Sequence, residues 1–92
     1  MEFKMKRVLL IAALVVATVA EGHAQDHRAV FKHISVQAQS DPRGAFDAML
    51  SLAQTGYAPA IDRMGYYFRH GIGTDTDLAA ARHWYTRAVA VG

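Results

Sequence analysis

The chain has 92 residues, ten Lys/Arg against eight Asp/Glu, and no cysteine. That length holds at most one small domain, and the missing cysteine excludes a disulfide framework, a thiolate metal site and a thiol nucleophile. Beyond residue 24 the seven Lys and Arg residues are scattered along the chain, which gives no sign of the clustered basic face of a nucleic-acid binder, and no nucleic-acid partner is expected.

The first 24 residues have the layout of a secretory signal. Lys4, Lys6 and Arg7 form a basic start, and residues 8–20 are an unbroken run of apolar and weakly polar side chains. Small residues then offer cleavage after Ala24, which is preferred, or after Ala20. The competing reading is an uncleaved inner-membrane anchor. A bilayer crossing needs about 20 apolar residues, and Glu21 ends this run well short of that. The expectation is therefore a secreted or periplasmic protein with no stable membrane span once the signal is removed. The signal takes three basic and two acidic residues with it, leaving seven basic against six acidic residues, so much of the basic character is an export label. A mature chain of 68 residues is below the size, about 70–80 residues, at which a single core becomes comfortably stable.

Residues 25–40 follow as an N-terminal helix. Val30, Phe31, Ile34 and Ala38 fall at helical spacing, with Asp26 placed to cap the start. The Ser40-Asp41-Pro42 step is a boundary, because the residue before a proline is pushed out of the helical region. Asp at the cap and Pro in the first turn then open a second helix over 42–55. Its apolar stripe is Ala45, Phe46, Met49, Leu50, Leu52 and Ala53, and Gly56 stops it. A third helix starts at Ala58-Pro59 and runs to about His70, burying Ala60, Met64, Tyr67 and Phe68. Gly65 inside it points to the close approach of another helix, since a mid-helix glycine otherwise costs about 1 kcal/mol against alanine. Gly71-Ile72-Gly73 breaks the chain, and the segment 74–77 supplies caps for a last helix whose face is Ala81, Trp84, Tyr85, Ala88 and Val89. No strand pattern appears, so the fold class is all-α.

A shift of 36 residues brings Asp41 onto Asp77, Ala45 onto Ala81 and Gly56 onto Gly92. Each pair has one structural job: a cap, a small packing residue, a helix stop. One whole repeat unit therefore follows a partial one. The whole unit resembles a Sel1-like repeat, the helix–turn–helix relative of the tetratricopeptide repeat. Ala60, Met64-Gly65, Phe68, Gly71, Gly73, Asp77, Ala81, Trp84-Tyr85, Ala88 and Gly92 stand in the family's register. Met64 for Leu, Phe68 for Tyr and Thr74 for Val are mild departures. Residues 41–92 form the repeat region on this reading, and 25–40 a degenerate repeat start. The resemblance implies a short solenoid of α-α hairpins, with Gly65 permitting close packing and Trp84 and Tyr85 filling the gap between helices.

Little in the chain suggests catalysis. His27, His33, His70 and His83 show no paired metal-ligand spacing. Asp75 and Asp77 suit helix capping better than acid–base work. Gly71-Ile72-Gly73 has neither the preceding strand nor the further Gly or Lys of a phosphate loop, and no serine sits in a nucleophile elbow. The expectation is no enzyme, no cofactor and no metal.

The resemblance implies instead that first-helix side chains line a concave recognition surface. Arg63, Tyr66, Tyr67 and His70, at three- and four-residue steps on that helix, are the expected partner-binding residues. The partner would be a protein or peptide of the cell envelope, with self-association through the last helix as a second expectation. Two alternatives stand beside this. Some exported family members are linked to β-lactamase activity and penicillin binding, but those are disulfide-rich and this chain has no Cys and no Ser-x-x-Lys. The other is a truncated repeat remnant, since repeats rely on stacked neighbours.

Overall fold

A computed structural model of the chain describes residues 23–92, with side chains from residue 26 onward. Four helices follow one another: α1 (His23–Gln37), α2 (Pro42–Gln54), α3 (Ala58–His70) and α4 (Leu78–Val91). Among the described residues there is no strand, and each helix packs on the next in the chain. The fold is all-α and consists of α-α hairpins. The expected signal lies outside the described residues except for its last two, His23 and Ala24, which belong to the backbone of α1. No helix among the described residues is long and apolar enough to cross a membrane.

The helix boundaries follow from local chemistry. The Asp41 carboxylate accepts the backbone N–H of Gly44 at 3.0 Å, and Asp77 accepts that of Ala80 at the same distance. Each cap satisfies one of the donors that a helix start leaves open. Proline stands in the first turn of α2 and of α3, where its missing N–H costs nothing. The turn after α3 is closed by the backbone, with Asp77 N–H donating to the Phe68 carbonyl at 2.8 Å. Asp26 departs from expectation. Helix α1 already runs through it, so its carboxylate sits in the first turn, where it complements the helix dipole instead of capping.

Two glycines let the helices approach closely. A Cβ on Gly65 would stand 2.7 Å from the Tyr85 ring, so α4 lays that ring directly on the backbone of α3. Gly73 has a φ of 74°, a conformation that only glycine adopts cheaply. A Cβ there would collide with the Pro42 carbonyl and stand 2.6 Å from Phe46 Cβ. The turn of the second hairpin therefore rests on the first turn of α2.

The core lies mainly in the middle of the stack. Ala45, Met49, Leu52 and Ala53 of α2 are buried with Ala60, Ile61, Met64 and Tyr67 of α3, while α1 contributes Ile34 and α4 contributes Ala81. Ile61 is a core residue outside the expected stripe, and Phe68 is half-buried. Val30 and Val89 have the helical phase of buried residues, yet both are exposed, Val89 by 82%. The reason is one-sided packing, because no described element lies over them. Trp84 and Ala88 are half-buried against the core, and Arg87 covers the Trp84 ring at 4.7 Å from its centroid.

Candidate partner-binding surface

Helix α3 carries all four residues nominated for partner contact and separates them. Successive helical residues point about 100° apart, so Tyr66 and Tyr67 face opposite environments. Tyr66 is 43% exposed and Tyr67 only 1%. Tyr67 lies 6.4 Å from Phe46 between ring centroids, on the α2 side. It is a core residue, and it leaves the surface patch to Arg63, Tyr66 and His70.

Those three touch in series along the helix. The Tyr66 and His70 rings, one turn apart, have centroids separated by 4.3 Å. On the other side of Tyr66 the Arg63 guanidinium stands 5.6 Å from its ring centroid and 5.1 Å from that of Phe31 on α1. Both distances fall within the range of cation–π attraction. Phe31 meets the edge of Tyr57 at 6.1 Å, and Tyr57 meets His27 at 5.4 Å. An aromatic band thus runs from α1 across to the end of α3, with one guanidinium set into it.

Sequence reasoning missed Phe31, Tyr57 and His27 as members of this surface. The 36-residue shift lays α1 over the first helix α3, but it sets Phe31 on the buried Tyr67 and Val30 on the exposed Tyr66, so it carries no signal for Phe31 at this surface. Beside the band lies a groove of about 420 Å³, with Ser35 and Gln39 on one wall and Arg63, Tyr66 and Ile72 on the other. It is an open trough between first helices, sized for a few side chains.

Electrostatics at the groove centre on Arg63 and Tyr67. The Tyr67 hydroxyl is buried and has no hydrogen-bond partner among the described residues. Burial pushes its pKa up, and the neighbouring Arg63 charge pulls the other way without cancelling that effect. The phenol therefore stays neutral well into the alkaline range. Hydroxyls at this end of α1 are engaged with the backbone: Ser35 donates to the Phe31 carbonyl and Ser40 to the Gln37 carbonyl. Among the described residues no three His, Cys, Asp or Glu side chains gather as metal ligands would. What the surface offers is ring faces and edges, one cation and exposed phenol and imidazole groups.

Comparison with protein-family models, with characterised proteins and with solved structures finds no match to this chain.

Proposed function

We propose that this protein is a non-catalytic interaction module of the Sel1-like repeat type, which holds a protein or peptide segment along the trough between α1 and α3. The observation that carries the reading is the run of contacts Phe31–Arg63–Tyr66–His70, which joins two first helices into one surface. Tyrosine and arginine in such a setting are the usual anchors of protein interfaces, because each buries a large rigid body and keeps a polar end. The repeat assignment rests on the 36-residue register and on the paired caps at Asp41 and Asp77. The signal-like layout of the first 24 residues supports export to the periplasm or beyond, with an inner-membrane anchor as the alternative. Its partner is accordingly a protein or peptide of the envelope.

The test is a pull-down from envelope extract with wild type, Tyr66→Ala and Arg63→Glu, followed by titration of the captured partner. Tyr66 is exposed, so its truncation leaves the core intact. Each variant is expected to lose about 1–2 kcal/mol of binding, or roughly tenfold in affinity. Equal capture and equal affinity across all three proteins would remove the trough from consideration.

A further inference from the structure

The outer side of α4 carries a second surface, independent of the trough. Leu78 is 67% exposed and Val89 82%, and with Tyr85 and Thr86 they line a groove bordered by Arg69 and Arg82. The 36-residue shift turns this groove into a known object. Leu78, Ala81, Arg82, Tyr85, Thr86 and Val89 correspond to Pro42, Ala45, Phe46, Met49, Leu50 and Ala53 of α2. On α2 those positions are covered. Ala45, Met49 and Ala53 are fully buried, Phe46 meets Phe68 of α3 at 5.3 Å between ring centroids, and Gly73 sits against Pro42. The open groove on α4 is therefore the place where a helix like α3 would lie one unit further along the stack.

Charge selects the occupant. Where α2 presents Phe46 to the covering helix, α4 presents Arg82, and the helix residue that meets this position is the one equivalent to Phe68. Helix α4 has no acidic residue, and neither the Arg82 nor the Arg69 guanidinium has a carboxylate partner among the described residues. A second copy of this chain would offer α1, its other first helix. In α1 the residue equivalent to Phe68 is Lys32, which is exposed, with Arg28 and His33 nearby. Head-to-tail stacking of two copies would set Lys32 against Arg82, and like charges at an interface oppose binding.

We propose that the open side of α4 docks an amphipathic helix of a different protein, seated as α3 is seated on α2, with a carboxylate at the place of Phe68 to meet Arg82. Tyr85, Leu78 and Val89 supply the apolar contact, and Arg82 sets the register through a charge-assisted hydrogen bond.

Two labelled peptides test this against the full 92-residue chain: residues 58–73 carrying Phe68→Glu, and the same segment carrying Phe68→Lys. Fluorescence anisotropy is expected to show the Glu peptide binding about tenfold more tightly than the Lys peptide at low salt, the equivalent of about 1.4 kcal/mol. Arg82→Glu, an exposed change whose folding is checked by circular dichroism, is expected to invert that order. Equal binding of the two peptides overturns the proposal, as does binding of neither or an order unchanged by Arg82→Glu. A concentration-dependent dimer in sizing, lost in Arg82→Glu, would assign the face to a second copy and also overturn it.

Discussion

Helices α2 and α4 hold the same place in the repeat and differ in what surrounds them. Both open on a capping aspartate with the same hydrogen bond, and both carry an apolar stripe in the same phase. Yet α2 buries four residues and α4 only Ala81. The difference is in the neighbours: among the described residues α2 packs against both α1 and α3, whereas the main neighbour of α4 is α3. Apolar phase in a repeat protein thus marks a face that can be covered, and the adjacent unit decides whether it is.

The contrast can be broken by matched substitutions. Met49→Ala is expected to cost about 2–5 kcal/mol in urea unfolding, because it opens a cavity in a fully buried site. Val89→Ala, on the bare side of α4, should change stability by less than about 0.5 kcal/mol. Similar losses at the two sites would mean that α4 is covered in solution. Gly65→Ala comes next, at about 1–3 kcal/mol, since the Tyr85 ring must withdraw to admit a methyl group. A variant as stable as wild type would show that α4 can shift on α3 freely.

Capping sharpens the comparison from the other direction. Asp41→Ala and Asp77→Ala should each cost about 1 kcal/mol, because the two bonds are alike and exposed. Unequal losses, measured by thermal melts, would show that the helix starts also feel their unequal surroundings.

The smallest effect concerns Tyr67. Its hydroxyl is buried without a partner, so Tyr67→Phe should be neutral or stabilise by up to about 1 kcal/mol. Its folded pKa is raised above the unfolded value, so the neutral phenol's share of stability is whole below about pH 10 and is lost as pH rises through the folded value. The advantage of Tyr67→Phe over wild type should therefore widen in urea melts at about pH 11 relative to pH 8. A constant gap would mean that Tyr67 titrates like an exposed tyrosine.

Much of the fold was legible because its determinants are local. Asp41, Pro42, Pro59, Gly71 and Asp77 act within a turn or two of themselves, and the helices begin and end where those residues dictate. The all-α class and the 36-residue register followed from the same signals. The surface was less legible. The helical phase of Ala60, Met64 and Tyr67 marked Tyr67 for the core, while its polar end and its neighbours Arg63 and His70 suggested partner contact, and packing on α2 settles it as core. Phe31 was recognised as apolar, but its place beneath Arg63 depends on how α1 lies against α3, and no short spacing encodes that. Val89 shows the same limit on the opposite side of the molecule, since periodicity names a face without saying what lies on it. Ile61 went unread for the converse reason: it sits beside the expected stripe, and contact from more than one helix widens the buried arc of α3.

The contact of Gly73 with the Pro42 carbonyl has a consequence for how such a surface can change. At that point the two hairpins meet through main chain and one β-carbon. Substitutions at Tyr66 or His70, which bridge no two helices, can then alter what the trough grips while that contact stays as it is. The frame and the specificity of the module are free to evolve separately.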